Sequence, residues 1–79
     1  MLTINYLGRL SEVIGEVKHE LSFSMPLTLG ELKKERMTTF PELEKYTYKV
    51  AVNTLLDATD ETLLKDGDEL FFLPPFAGG

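Results

Sequence analysis

Few side chains in this 79-residue sequence could do chemistry of their own. There is no cysteine, so there is no thiolate nucleophile, no thiolate metal site and no disulfide. His19 is the only histidine and falls inside an alternating apolar pattern, where a structural role is expected rather than that of a ligand or base. Asp66 and Asp68 flank Gly67 in a segment, Lys65-Asp66-Gly67-Asp68, whose residue types are those of a turn. No Ser/His/Asp set, metal-ligand spacing or phosphate-cradling glycine loop is present. On its own the chain is expected to catalyse nothing and to hold no cofactor or metal. What remains is the tail, Pro74-Pro75-Phe76-Ala77-Gly78-Gly79. Proline fixes φ and favours an extended path, so the tail should leave the body stiffly. At about 3.3–3.6 Å per residue the segment reaches roughly 20 Å, enough to enter a deep pocket on another protein. Gly78 and Gly79 lack a Cβ and could pass a narrow channel. Residues 74–79 are therefore expected to be an insertion device, with residues 1–73 as the domain that carries it.

The elements that position this tail can be read in order. Leu2, Ile4 and Tyr6 alternate with Thr3, Asn5 and Leu7, giving a first strand with Leu7 as the apolar member of its polar face. Gly8 to Ile14 reads as a short helical turn with Leu10, Val13 and Ile14 inward, and Gly15 suits its C-terminal end. Val17, His19, Leu21 and Phe23 define one side of a second strand. After Met25-Pro26-Leu27, the run Thr28-Leu29-Gly30-Glu31 matches a capping box and predicts a helix over 29–37. Leu29, Leu32 and Met37 should be its buried face, and Lys33, Lys34, Glu35 and Arg36 its solvated one. Phe40 and Leu43 should pack under a turn. Tyr48 to Asn53 reads as a third strand, Asn53-Thr54 as a turn into a short strand at Leu55-Leu56, and 57–64 as a loop with Leu63 or Leu64 tucked in. Glu69 to Leu73 is the last strand, with Leu70 and Phe72 on one face and Phe71 and Leu73 on the other.

A hairpin, a helix that crosses to a separate strand, and further strands imply an α+β fold with a mixed sheet. One main helix can cover only one face of it, which is the β-grasp, ubiquitin-like arrangement. With the first and last strands side by side, Leu7, Phe71 and Leu73 would form an apolar patch on the open face beside the tail, with Leu56 as a weaker member. Such patches usually bind a partner.

Composition narrows the partners. A net charge of −5 argues against a nucleic-acid surface, which carries clustered Lys and Arg. The apolar runs are far too short to span a bilayer and the N-terminus lacks a signal pattern, so a cytoplasmic protein with no membrane partner is expected.

Four stretches together resemble a known family: Gly8-Arg9-Leu10-Ser11-Glu12-Val13-Ile14-Gly15, Val50-Ala51-Val52-Asn53, Asp66-Gly67-Asp68-Glu69 and Leu73 through Gly79. The chain resembles MoaD, the small-subunit family of molybdopterin synthase, within the ubiquitin-like sulfur carriers that include ThiS. The paired prolines and the helical segment after the first strand look more like MoaD than ThiS. Thr54 departs from the family, in which many members carry Gly after Asn, and Phe76 is larger than the residue expected there. The resemblance implies that a MoeB-like adenylyltransferase consumes ATP to adenylate Gly79, which then becomes a thiocarboxylate. It further implies that the sulfur passes to a pterin precursor in a MoaE-like large subunit, within a heterotetramer of two small and two large subunits. Pro74, Pro75, Phe76, Ala77 and Gly78 would line the partner's channel on the way. Sulfur delivery for thiazole synthesis or tRNA thiolation, a ubiquitin-like modifier joined to lysines through Gly79, and a binding module with an inert Gly-Gly remain open.

Overall fold

The computed structural model describes residues 1–56 and 58–75. Asp57 of the expected loop, and Phe76, Ala77, Gly78 and Gly79 of the tail, lie outside the described residues. The elements are β1 (Leu2–Tyr6), α1 (Arg9–Ile14), β2 (Lys18–Leu21), β3 (Leu27–Thr28), α2 (Leu29–Thr39), a 3-10 turn (Pro41–Lys45), β4 (Lys49–Val52), β5 (Leu63–Leu64) and β6 (Glu69–Leu73). Four strands form one sheet in the order β2-β1-β6-β4. β1 runs antiparallel to β2 and parallel to β6, and β6 runs antiparallel to β4. This is the β-grasp fold expected from the order of elements.

Strand alternation builds the core. Leu2, Ile4 and Tyr6 from β1, Leu70 and Phe72 from β6, and Val50 and Val52 from β4 are all buried on the face covered by α2. Leu29 and Leu32 of α2 meet them, with Leu10 and Ile14 of α1 and Leu43 of the 3-10 turn closing the ends. The start of α2 follows from its capping box. The Glu31 N–H donates to the Thr28 hydroxyl at 3.2 Å, and the Thr28 N–H donates to the Glu31 carboxylate at 2.8 Å. Its end follows from Pro41, which disfavours helical geometry at Phe40.

Several expectations are corrected. α2 extends two residues past the expected end, to Thr39. Arg36 is not on its solvated face but buried, at 5% exposure. β2 is shorter than its alternating pattern, and Val17 lies 70% exposed before it begins. The second hydrogen-bonded segment after β4 is not Leu55-Leu56, which contributes a single bridge from Leu55 to Val52. It is Leu63-Leu64, paired with Leu27-Thr28 in a separate two-stranded ribbon that the local pattern around Met25-Pro26 did not show. Leu64 is the residue tucked into the core.

The Asn53-Thr54 turn explains the tolerance of Thr54. Only Asn53 takes a positive φ, 54°, which asparagine accepts more readily than a β-branched residue. The Asn53 side chain donates to Asp68 at 3.0 Å and accepts from the Glu69 N–H at 2.9 Å, tying this turn to the turn before β6.

Candidate functional site: the exit of the tail and the open sheet face

β6 is an interior strand, flanked by β1 and β4, so the tail leaves from the middle of the sheet. The register sets Phe71 beside Asn5 of β1 and Ala51 of β4, and Leu73 beside Lys49. Phe71 and Leu73 thus point away from the core that holds Leu70 and Phe72, and both stay partly exposed. Leu7 continues β1 on the same face, and its N–H donates to the Phe72 carbonyl at 3.1 Å. At 38% exposure it extends the apolar surface next to Leu73. Leu7, Phe71 and Leu73 are therefore brought together, as the alternation predicts. A polar border stands beside them, where the Asn5 amide donates to the Glu69 carboxylate at 3.0 Å and the Leu70 carbonyl at 3.1 Å.

Leu56 is not part of that cluster. It is 71% exposed and lines a groove of about 230 Å³ with Leu29, Lys33, Tyr48, Val50 and Ala58, where α2 meets the β4 edge.

The first proline is held by close packing. Gly8 has φ 57° and ψ −134°, a conformation that side chains strongly disfavour, and a Cβ there would lie 3.1 Å from the Pro74 ring. Pro74 is half-buried and Pro75 exposed. Together they form a ridge between two grooves. One, about 370 Å³, is lined by Thr47, Tyr48, Lys49 and Leu73. The other, about 340 Å³, is lined by Arg9, Leu10, Lys45, Tyr46 and Thr47. Tyr48 stacks on Phe72 with ring centres 5.1 Å apart, and burial raises its phenol pKa.

Arg36 belongs to a second polar cluster, on the covered side of the sheet. Its guanidinium donates to both carboxylate oxygens of Glu35, one at 2.9 Å, and to the Tyr6 hydroxyl at 3.1 Å, and it lies over the Phe40 ring. Tyr6 also hydrogen-bonds His19 Nδ1 at 3.1 Å, and the His19 ring stacks on Phe40. Burial pulls the Arg36 pKa down, but the bonds to Glu35 and Tyr6 outweigh it and the net shift is upward. The Arg36 bond holds Glu35 below the ordinary carboxylate value, while burial raises Tyr6. No buried side-chain nitrogen or oxygen among the described residues lacks a partner. His19 is thus a structural residue, as its strand position suggests. The signal for Arg36 was its spacing, since Leu29, Leu32 and Arg36 share one helical face. Among the described residues no group of His, Cys, Asp and Glu could hold a metal ion, and no helix is long and apolar enough to cross a membrane.

The ThiS family model matches residues 4–79, nearly the whole chain and including the Gly-Gly tail. The chain belongs to the ThiS family. No curated protein matches it. Solved structures share the fold across nearly the full length of a ThiS-family chain of this size. A Pyrococcus furiosus protein assigned as molybdopterin converting factor subunit 1 superposes with a TM-score of 0.86 at 19% identity, covering 94% of this chain and 95% of that one. Small archaeal modifier protein 1 of Haloferax volcanii gives 0.80 at 21% identity, covering 94% and 95%. A chain from the complex of subunits 1 and 2 of molybdopterin-converting factor of Helicobacter pylori gives 0.70 at 26% identity, covering 99% and 97%. As a member of the ThiS family, the chain is a ubiquitin-like β-grasp domain of the sulfur-carrier group.

Proposed function

We propose that this chain is the sulfur-carrying small subunit of a molybdopterin synthase, with Gly79 as its acyl terminus. The observation that carries the reading is a family match running through Gly79, on a fold whose last strand, leading to Pro74 and Pro75, lies inside the sheet next to an open apolar patch. A terminal carboxylate, with a pKa of about 3.3–3.7, is ionised at pH 7 and is a poor electrophile. Attack of its oxygen on the α-phosphorus of ATP, in a MoeB-like partner, expels pyrophosphate and leaves an acyl adenylate. Attack by a sulfur donor on that carbonyl then releases AMP and leaves the thiocarboxylate. Its sulfur is the nucleophile delivered to the pterin precursor in the large subunit. Each partner threads the same tail, so narrow residues at 78 and 79 serve both.

The choice of molybdopterin synthase is supported by the likeness to a chain of the Helicobacter pylori two-subunit complex, the higher in identity of the three structures compared. In this reading Leu7, Phe71 and Leu73 seat the large subunit while Pro74 and Pro75 aim the tail. Cytoplasmic location follows from the need for ATP. A second reading, a protein modifier joined to lysines, is supported by the likeness to the Haloferax modifier. Deletion of Gly79 tests the role of the tail: sulfur transfer should be lost with thermal stability unchanged, and normal transfer by the deletion variant would refute it. Recovery from cells of a companion large subunit supports molybdopterin synthesis, whereas isopeptide-linked ladders support the modifier.

A further inference from the structure

We propose that Arg9, Lys45 and Lys49 form a cationic collar at the base of the tail, which docks on an acidic rim around the channel of the adenylating partner. The inference rests on the sulfur-carrier reading and adds to it the chemistry of the surface that receives the chain.

The sequence carries 13 Asp and Glu against 8 Lys and Arg, so its surface is negative on average. The exit of the tail has the opposite sign. Arg9 and Lys45 line the groove on one side of Pro74 and Pro75, Lys49 lines the groove on the other, and among the described residues no carboxylate lines either. All three cations are exposed, and none makes an ion pair among the described residues. Elsewhere Arg36 is buried against Glu35 and Lys33 pairs with Asp60 at 2.9 Å, whereas Lys18, Lys34 and Lys65 are exposed like the collar residues but line neither groove beside the prolines. Glu12 and Glu42 share a different depression with Arg9, one that the prolines do not line.

Like charges set close together without counter-ions repel one another and so do not stabilise the isolated fold. Carboxylates on a partner would offset that repulsion and accelerate encounter, the usual effect of charges at the rim of an interface. The reach of the tail separates the collar from the reaction. Pro75 and Gly79 are four residues apart in sequence, so an extended path places the acyl carbon up to about 14 Å away. The α-phosphate of the nucleotide must meet Gly79, which leaves the collar at the mouth of the channel, facing protein.

The test is stopped-flow association of the full chain with the adenylating enzyme from the same cell. One pair, Arg9→Glu with Lys49→Glu, reverses a cation in each groove. A control pair, Lys34→Glu with Lys65→Glu, makes the same net change away from the tail. The collar pair should slow association about tenfold or more at low salt, the control pair less than about threefold. The difference should vanish near 1 M salt, where the screening length is about 3 Å. Should the reversal pair fail to fold, Arg9→Ala with Lys49→Ala should still slow association by about threefold at low salt. Equal slowing by collar and control pairs would overturn the inference, as would unchanged association with a raised KM for ATP, which would make the nucleotide the ligand. Normal adenylation with a collar that has no effect would leave the sulfur-carrier reading intact. Failure of the unaltered chain to associate at all would remove both.

Discussion

The two faces of one sheet do different work in this molecule. On the covered face Leu2, Ile4, Tyr6, Val50, Val52, Leu70 and Phe72 are buried under α2, and even the enclosed Arg36 has its hydrogen bonds made. On the open face Leu7, Phe71 and Leu73 stay partly exposed beside the tail. Strand β6 contributes to both, because successive side chains point to opposite sides. Its positions 70 and 72 hold the fold together, while 71 and 73 are left to meet something else. Stability and recognition should therefore separate along a single strand, one residue at a time.

The largest effect expected is on the covered face. Phe72→Ala should destabilise the domain by about 3–5 kcal/mol in urea unfolding, since a fully buried ring is removed and a cavity left. A small effect would break the division between the faces. Arg36→Ala should cost about 1–3 kcal/mol by leaving the buried Tyr6 hydroxyl without its donor. Gly8→Ala, at the border of the two regions, should cost about 1–3 kcal/mol for a backbone conformation that only glycine adopts readily, and also displace Pro74. On the open face Leu73→Glu should change stability by less than about 0.5 kcal/mol yet abolish large-subunit binding by isothermal titration. Intact binding would remove the patch from the account.

Titration sharpens the same contrast, since the described groups with resolved shifts other than Tyr48 belong to the Arg36 cluster. Glu35 is lowered from 4.5, so its contribution is complete above that value and is lost as pH falls through the folded pKa. Tyr6 and Tyr48 are raised from 10.0, so theirs is complete below that value and is lost as pH rises through the folded pKa. Stability should fall at both extremes of pH. In thermal melts Glu35→Gln should flatten the acid limb, and Tyr6→Phe the alkaline one.

Legibility in the sequence followed the range of the interactions involved. The capping box, the αL glycine at 15 and the alternation in β1 and β6 are local, and the structure has each where the sequence puts it. The open patch was legible because alternation fixes which residues share a face, once β1 and β6 are neighbours. The β3–β5 ribbon was not, because it joins residues far apart in sequence with only two on each side. Arg36 was misread because a charged residue in a charged run suggests solvent, although its spacing from Leu29 and Leu32 places it inward. Leu56, expected as a weaker member of the patch, is carried by the turn after β4 to another edge.

The most direct test of the central claim is the intact mass of the full chain after incubation with ATP, an adenylating enzyme and a sulfide source. The account predicts a gain equal to the mass difference between sulfur and oxygen, located at Gly79 by fragmentation. A mass left unchanged by an enzyme that demonstrably adenylates another ThiS-family terminus would contradict it.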